Sequence, residues 1–481
     1  MTRARSIGFW VLAAALLAGH LVLAWNSLTT WQFWEDEAFN LTVPRNLLAG
    51  LGYTSDGALS GSTLTPFDPR ISTGPAVLLP VAAILATGID PIIGARLVPL
   101  MYWIVLLVGL GVLGNRIGGR WAALVAVAVP LAFTTSAGVS PIQGPADLLG
   151  EIPAAALLVW ALIVLPKRAW LAGLFVGLAV QAKLIALLAL PAFAVALLLL
   201  TPGTSAGSAT GRFLALVKRS WLPLIFVALP TLLLEVFALV SLGFSGFIEH
   251  LRTLGWFVLN GGQTGEPTTV AQKLTTLAES WSLPVWAAAV LAVVSVALIA
   301  GGMWATRSWT GGLYLWPAAV GALTFVAWWA TASHLPLWVR HPAPGIFAFF
   351  PILGAYAIWG AAQLMRQRQL RVIALAAASV LVVLFAWGAT THAFSSAQPR
   401  WGTLAEQRAS VEPLTTWVQE NDIEWLAAQP WGGTVSQIVL TGAHVGLFDA
   451  PAMDGIPRLT GLGCETDTLA DSSVYRICAA P

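Results

Sequence analysis

Three consecutive carboxylates, Glu35, Asp36 and Glu37, are the residues in this sequence best suited to chemistry. Carboxylates this close repel one another, so their proton affinities spread and one pKa rises towards a useful range. A carboxylate held beside an acceptor hydroxyl serves as a general base. Trp31 and Trp34 precede the triplet and are typical of a membrane headgroup layer. This position favours a functional role over a solvated acidic loop, the usual explanation for such a triplet.

Basic residues near apolar segments form a second group of candidates. Lys183 lies in an otherwise apolar run, where an ionisable group is costly and marks a functional site. The alternative is that Lys183 reaches the headgroups from a helix end. Arg96, Arg252 and Arg340 are predicted at the outer membrane interface. Contact with lipid headgroups is a stronger alternative for these three residues, because interfacial arginine is common. All four are candidates for binding an anionic substrate group.

Further acidic and histidine residues are candidates of a second rank. Glu235 lies about 10 Å inside its predicted span, where it either lines a cavity or packs as a protonated group. Asp147 and Glu151 are one helical turn apart and predict a shared face at the start of a span. That face would contact an acceptor or a metal, or simply complement the helix dipole. His341 follows Arg340, and a second histidine lies shortly before Arg340 in the sequence. Two histidines without a third ligand only weakly indicate a metal site.

The composition is that of a polytopic membrane protein. Of the 481 residues, 57% are hydrophobic and only 10% are charged, and the mean hydropathy is +0.79. Soluble domains contain about 25% charged residues. The net charge is only +2 and the basic residues are spread over short loops, so the sequence gives no reason to propose a nucleic-acid partner.

Apolar stretches of about 20 residues predict the membrane crossings. We predict eleven, at 7–25, 96–114, 121–139, 152–166, 169–183, 184–201, 220–241, 283–303, 312–331, 344–362 and 372–393. The stretch Ile71–Ile89 is not counted, because Pro75 and Pro80 weaken it as a straight helix. It is predicted as a juxtamembrane or re-entrant helix, the alternative being a short span.

Charged residues in the loops predict the orientation of the chain. Lys and Arg occupy alternate loops that contain no Asp or Glu, and all 22 carboxylates fall outside those loops. By the positive-inside rule the amino terminus is cytoplasmic. Ile7–Trp25 is long enough to span and lacks a small-residue cleavage site, so it is expected to remain as the first span. We expect a multi-pass protein of a bacterial plasma (inner) membrane.

Two domains are predicted, a helical membrane domain at 1–393 and an extracytoplasmic α/β domain at 394–481. The membrane domain has outer loops at 26–95, 140–151, 242–282 and 332–343. The second domain is predicted to contain helices at 402–421 and 434–441 and strands at 423–428, 445–449 and 474–478. Cys464 and Cys478 are the only cysteines and lie on the oxidising side, which predicts a disulfide. A zinc site is disfavoured with two thiols, and two free buried thiols are the remaining alternative.

Several short motifs occur in the order found in one superfamily. These motifs are Asp36-Glu37-Ala38, Arg45 to Gly52, Thr73-Gly74-Pro75, Gly94-Ala95-Arg96-Leu97, Asp147 to Glu151, Ala172 to Lys183, and Trp338-Val339-Arg340-His341-Pro342. In their order and spacing the chain resembles the GT-C superfamily, and within it the branch of protein O-mannosyltransferases and lipid A aminoarabinose transferases. The branch usually has His-Pro-Pro or Pro-Pro in place of Thr73-Gly74-Pro75, and Arg-Tyr in place of Arg340-His341. These differences leave the sugar and the acceptor open.

The resemblance implies an inverting glycosyltransferase with an all-helical fold of about eleven spans plus juxtamembrane helices. Its donor would be a polyprenyl-phosphate sugar, and its acceptor a hydroxyl of a cell-envelope glycan, lipid or protein. Asp36 would be the base, and Glu37 would orient Asp36 or the acceptor or help to bind a divalent metal, with Glu35 alongside. No cofactor is certain. The alternative class is a polytopic transporter or lipid flippase that uses Lys183 and Glu235 as an intramembrane polar path.

Overall fold

The structure is a computed structural model of a mostly helical membrane protein with a small sheet domain at its carboxyl end. It describes residues 2–56, 64–134, 141–201, 209–260, 266–308, 311–396, 399, 402–429, 434–447 and 450–480. The predicted ends of one span (135–139), of one outer loop (140) and of one strand (448–449) lie outside these residues.

Sixteen α-helices are present in the described parts of the chain. They are α1 Thr2–Trp25, α2 Glu35–Leu48, α3 Pro75–Leu85, α4 Pro91–Gly118, α5 Arg120–Ala132, α6 Glu151–Val164, α7 Ala169–Ala182, α8 Leu190–Leu200, α9 Ala209–Asn260, α10 Val270–Glu279, α11 Val285–Thr306, α12 Leu315–Thr331, α13 Ala343–Leu364, α14 Arg371–Ser395, α15 Leu404–Glu420 and α16 Val435–Thr441. A π-helical turn, Asn26–Thr30, follows α1, and a 3₁₀ helix, Leu184–Ala189, precedes α8.

Each of the eleven predicted spans corresponds to a helix, and six described helices are long and apolar enough to cross a membrane: α1, α4, α9, α11, α13 and α14. The others, α5, α6, α7, α8 with its 3₁₀ turn, and α12, are shorter apolar helices. The predicted juxtamembrane helix is α3, whose eleven residues rise only ~16 Å, against a hydrocarbon core of ~30 Å. Its length therefore agrees with a helix that does not cross.

The basic loops lie together at one end of the helical bundle. Arg116, at the end of α4, donates a hydrogen bond to the Ile163 carbonyl near the end of α6. Arg219 donates to the Leu200 carbonyl at the end of α8, and the last turns of α11 and α13 pack at Gly302 and Gly360. The carboxy-terminal domain contacts the other end, which we call the domain end.

Helix α9 contradicts the prediction of a single span followed by a loop at 242–282. It continues to Asn260 but breaks at Gly243, whose φ of +67° is not helical. A glycine tolerates this left-handed conformation at no steric cost. Beyond the break the chain turns back, so that His250 Nε2 lies 3.2 Å from Glu235 Oε2. Most of the predicted loop is therefore helical, and α10 follows with a capping box formed by Thr269 and Gln272.

The carboxy-terminal domain contains α15, α16 and a five-stranded sheet in the order β4-β3-β5-β7-β6. Its strands are β3 Trp425–Ala428, β4 His444–Leu447, β5 Arg458–Thr460, β6 Thr468–Asp471 and β7 Arg476–Cys478, while β1 Thr54–Ser55 and β2 Thr65–Pro66 form a separate hairpin. β3 is parallel to β4 and β5, whereas β7 is antiparallel to β5 and β6. The predicted disulfide between Cys464 and Cys478 is present. Sequence reasoning missed β5 and β6, which have only three and four residues, and β6 is mostly exposed.

Candidate functional site at the domain end

The Asp36 carboxylate forms an ion pair with the Arg340 guanidinium at the domain end of the bundle. Asp36 lies in the first turn of α2, and Arg340 lies in the loop between α12 and α13. The guanidinium carbon of Arg340 lies 4.8 Å from the ring centroid of Trp338 and 5.8 Å from that of Trp34. These two cation–π contacts restrain the arginine side chain. The Asp36 side chain retains 23% exposure, so a substrate can reach it.

Glu35 is the protonated member of the acidic triplet near neutral pH. Burial, reinforced by the negative charge of Asp36 and opposed by Arg340, raises the pKa of Glu35 from 4.5 to about 8. Its Oε1 atom is buried without a hydrogen-bond partner among the described residues. Neighbouring carboxyls with different protonation states are what an acid–base site requires.

We expect the stability of the folded chain to decrease between about pH 5 and pH 8 because of Glu35. The folded-state pKa lies above the unfolded value, so the unfolded chain releases this proton first and folding loses stability as pH rises through that window. Each pKa unit corresponds to about 1.4 kcal/mol. Glu35→Gln cannot ionise, so its Tm in detergent should fall less between pH 5 and pH 9 than that of the wild type. Equal pH slopes for the two proteins would show that Glu35 does not titrate in this way.

Glu37 and Arg96 form a buried bidentate ion pair beneath the site. Arg96 Nε and one terminal nitrogen donate to the two Glu37 oxygens at 2.9 and 2.6 Å, and both residues are 1% exposed or less. The Leu148 N–H also donates to Glu37. The expectation that Arg96 lies at the interface to bind substrate is therefore not met in this conformation, because Glu37 and backbone carbonyls occupy its donors. The two side chains fix the start of α2 against α4.

Asp147 lies beside this ion pair and does not share a face with Glu151. It precedes α6 in a turn, where the Gln143 N–H donates to its Oδ2 at 2.6 Å. Burial and the negative charge of Glu37 raise the pKa of Asp147 well above its ordinary value, although Arg96 opposes the shift. The prediction of a shared helical face was wrong, because the helix begins only at Glu151.

Replacing Arg96 with Met is expected to destabilise the folded chain by roughly 3–5 kcal/mol, the cost of leaving a buried charge without its partner. The variant leaves Glu37 and the carbonyls of Trp31 and Gln32 without the hydrogen bonds that Arg96 donates. The measurement is the Tm in detergent. Arg252→Met is the matched control, since the Arg252 and Glu249 side chains are 74% and 71% exposed and such pairs contribute little. Similar losses in both variants would contradict a structural role for the buried pair.

Lys183 lies where the ends of three segments meet. It follows α7, and its Nζ lies 2.8 Å from Glu151 Oε1 and 2.8 Å from the Ser72 hydroxyl. Gly74 and Gly150 contact the carbonyls at the end of α7, where a Cβ would collide with the backbone. These two glycines allow α3 and α6 to begin against Lys183. The predicted cation is therefore at a helix end, paired with a buried carboxylate.

Sequence reasoning missed Lys273, a buried lysine on α10. Its Nζ donates to the Trp329 and Ala332 carbonyls, both at 2.6 Å, at the end of α12, and burial lowers its pKa to about 8. A lysine on the same helical face as Leu277, four residues later, was the available signal. Lys273 therefore supports the loop that carries Arg340.

His341 lies among three cations. Burial lowers the pKa of His341 well below its ordinary value, and Arg340, Lys183 and Lys273 lower it further. The imidazole is therefore neutral at pH 7. Its Nδ1 atom is buried and has no hydrogen-bond partner among the described residues. Two of these cations are paired with carboxylates, Arg340 with Asp36 and Lys183 with Glu151.

Glu235 and Arg252 lie outside this cluster. The partner of Glu235 is His250, and Phe67 packs against the same imidazole ring. Arg252 forms an exposed pair with Glu249 on its own helix. The structure therefore brings together Glu35, Asp36, Arg340, His341 and Lys183, with Glu37, Arg96 and Asp147 supporting them.

The carboxylates of the acidic triplet do not fit a shared metal ion. Asp36 faces Arg340, whereas both oxygens of Glu37 face Arg96. Among the described residues, no group of three or more His, Cys, Asp or Glu side chains converges. The arrangement instead offers a carboxylate paired with a guanidinium, a buried carboxyl with a raised pKa, and further cations.

The helical bundle, α2 at its domain end and the attached α/β domain have a fold similar to that of solved GT-C structures. The fold extends over 98% of this chain and 98% of ArnT from Cupriavidus metallidurans, solved in the apo state and bound to undecaprenyl phosphate, with a TM-score of 0.61 and 12% identity. Archaeoglobus fulgidus oligosaccharyltransferase AglB, in complex with an inhibitory peptide and a dolichol-phosphate, is 12% identical over 92% of this chain and 65% of that one, with a TM-score of 0.53.

The arabinofuranosyltransferase AftD from Mycobacteria is 18% identical, with a TM-score of 0.54, over 91% of this chain and 31% of that one. No protein-family model and no curated protein matches the sequence. At these identities the similarity establishes the fold, and the resemblance found in the sequence is confirmed at that level.

Proposed function

We propose that this protein is an inverting glycosyltransferase that moves a sugar from a polyprenyl-phosphate donor to a hydroxyl acceptor. The observation that carries the proposal is the pairing of Asp36 with Arg340, with the protonated Glu35 beside them. A base and a phosphate-binding cation are the two groups that such a reaction requires. Structures with the same fold have been solved with undecaprenyl phosphate and with dolichol-phosphate.

The reaction is a single displacement at the anomeric carbon. The acceptor oxygen forms a bond to that carbon while its proton passes to the Asp36 carboxylate. The bond between the anomeric carbon and the phosphate oxygen breaks, and its electron pair leaves with the polyprenyl phosphate. Attack opposite the leaving group inverts the anomeric configuration. Charge grows on the departing phosphate, so cations near it stabilise the transition state.

Arg340 exchanges partners in this mechanism. Without substrate its guanidinium is held by Asp36 and by the rings of Trp34 and Trp338. A bound phosphate offers the same planar group two oxygens in a geometry that suits bidentate hydrogen bonds. Lys183 adds positive charge nearby, and Glu37 orients Asp36 through its anchored position on α2.

The domain end faces the extracytoplasmic side in this proposal, with the amino terminus in the cytoplasm. Two independent features agree with this orientation. The loops at the opposite end carry the Lys and Arg residues and no carboxylates. The disulfide lies at the domain end, and disulfides persist in oxidising compartments. The donor phosphate would then lie at the outer headgroup level, in a bacterial plasma membrane.

The alternative, a transporter or lipid flippase, is less well supported. Its proposed polar path would join Lys183 to Glu235, but these residues have different partners, Glu151 and His250. The break in α9 is the feature that such transporters share. The fold similarity to glycosyltransferases favours the transferase.

Consumption of a donor by the purified protein tests the proposal. The protein in detergent is incubated with a panel of polyprenyl-phosphate hexoses and pentoses and with a cell-envelope extract as the source of hydroxyl acceptors, with and without a divalent cation, and the released polyprenyl phosphate is measured. One donor is expected to be consumed faster by the wild type than by Asp36→Asn. Equal consumption by both proteins would contradict the assigned base, and no consumption of any donor would contradict the proposed reaction.

A further inference from the structure

The extended segment Trp31–Trp34 leads directly into the acidic triplet. No helix or strand includes it beyond an isolated bridge from Trp31 to Thr403. Side chains satisfy four of its backbone groups, and other backbone groups satisfy three more. On the membrane-domain side, Arg96 donates to the Trp31 and Gln32 carbonyls at 2.9 and 3.0 Å. On the other side of the segment, the hydrogen-bond partners belong to the carboxy-terminal domain.

Gln407 lies in the first turn of α15. Its side-chain amide both accepts a hydrogen bond from the backbone of Phe33 and donates one to it. The Phe33 N–H donates to Gln407 Oε1 at 2.9 Å, and Gln407 Nε2 donates to the Phe33 carbonyl at 2.7 Å. Phe33 is 1% exposed and Gln407 is 5% exposed. Losing these bonds would leave two buried backbone groups without partners, which the structure avoids.

Further buried hydrogen bonds fix the orientation of the Gln407 amide. Its Nε2 also donates to the Ser436 hydroxyl at 3.2 Å, and that hydroxyl donates to Gln437 Oε1 at 3.0 Å. Gln437 Nε2 donates in turn to the Tyr475 hydroxyl at 2.9 Å. A fully satisfied buried network of this kind is rigid. The amide that holds Phe33 is therefore anchored deep in the carboxy-terminal domain.

The other end of α2 is held by the same domain. Arg45 donates to the Val439 and Gly442 carbonyls at 2.9 and 2.8 Å, at the carboxyl end of α16, where positive charge is favoured. Asp56 accepts hydrogen bonds from the Val445 N–H and the His444 ring at 3.0 Å each. The carboxy-terminal domain thus contacts α2 at its beginning and near its end.

We propose that the carboxy-terminal domain positions the acidic motif, and that Gln407 is the positioning residue. By fixing Phe33 it sets the direction in which α2 presents Asp36 to the acceptor and Arg340. The inference rests on the proposed function for its effect on turnover. A displacement of about 1 Å at a catalytic group lowers the rate about 100-fold, so a residue remote from the reacting atoms still controls the reaction.

Two substitutions of Gln407 test this inference in the full-length protein. Gln407→Met has a similar length but cannot form hydrogen bonds of this kind, and it should lower kcat by about 10- to 100-fold with KM nearly unchanged. Gln407→Glu cannot donate to the Phe33 carbonyl when ionised, but donates when protonated. Burial raises the pKa of a carboxyl, so kcat of Gln407→Glu relative to Gln407→Met should rise as pH falls. The control is Gln419→Met, an exposed position on the same helix, which should match the wild type.

Amide hydrogen exchange at residues 33–38 gives a readout that does not need turnover. Exchange should be faster in Gln407→Met than in the wild type or in Gln419→Met. If wild-type protein transfers sugar and Gln407→Met matches it in kcat and exchange, the positioning role is wrong while the proposed function stands. If the wild type transfers nothing, the proposed function fails, and the positioning role is then judged from amide exchange alone. Faster exchange in Gln407→Met than in the wild type supports the positioning role, and an unchanged exchange rate overturns it. Lost turnover with unchanged exchange also overturns it.

Discussion

Replacing Asp36 with Asn is expected to lower kcat for sugar transfer about 1,000-fold, within the usual range for loss of a general base. Asparagine has the shape of aspartate and still accepts a hydrogen bond from Arg340, so substrate binding should change little. It cannot accept the proton of the acceptor hydroxyl, and the effect should therefore fall on kcat rather than KM. The measurement is initial-rate release of polyprenyl phosphate at saturating donor and acceptor.

A matched control separates chemistry from a general effect of charge. Glu249→Gln removes one carboxylate from an exposed side chain on α9 and should retain wild-type kcat. Both variants should unfold at similar temperatures. An Asp36→Asn protein that keeps a third or more of the wild-type kcat would exclude Asp36 as the base. A transporter or lipid flippase would also tolerate this change.

Replacing Arg340 with Met is expected to lower kcat/KM for the donor by about 100- to 1,000-fold, as for removal of one donor that stabilises transition-state charge. Arg340 is the cation that faces Asp36 directly, so its loss removes the group that would hold the leaving phosphate. Arg340→Lys keeps the charge without the planar fork and should recover only part of the activity. Rates over a range of donor concentrations provide the measurement.

The kinetic constant that changes identifies the substrate that Arg340 binds. The apparent KM for the acceptor should stay near the wild-type value in Arg340→Met, because the proposed acceptor position is beside Asp36. Arg371→Met, an exposed residue at the opposite end of the bundle, is the control and should transfer normally. An Arg340→Met protein with unchanged donor kinetics would require another group to bind the phosphate.

The sequence predicted the membrane bundle because its signal is local. Each apolar run produced a helix, and the charge distribution placed the basic loops together. Gly243 was a local signal that the seventh span breaks, yet the direction of the chain beyond it depends on the contact between Glu235 and His250. Strands β5 and β6 were missed because a strand of three or four residues needs its neighbours to form.

The candidate site was only partly predictable, because its contacts join distant parts of the chain. The acidic triplet identified Asp36, but its partner Arg340 is 304 positions away. Arg96 was predicted to be available to substrate, and only the structure places it against Glu37. Gln407 gave no signal at all, since a neutral amide on a helix has no chemistry until its neighbours are known. Residue types indicate the reaction, whereas tertiary contacts determine which groups are available for it.

The distance between Phe33 and Gln407 along the chain, 374 positions, has a consequence for biosynthesis. At ~5–20 residues per second, the second residue leaves the ribosome roughly 20–75 s after the first. Helix α2 is therefore made early, but its anchor is complete only after the carboxy-terminal domain has been made and has folded. Under the proposed function, chains that end before the carboxy-terminal domain should be unable to consume a polyprenyl-phosphate donor, so incomplete products would not deplete it.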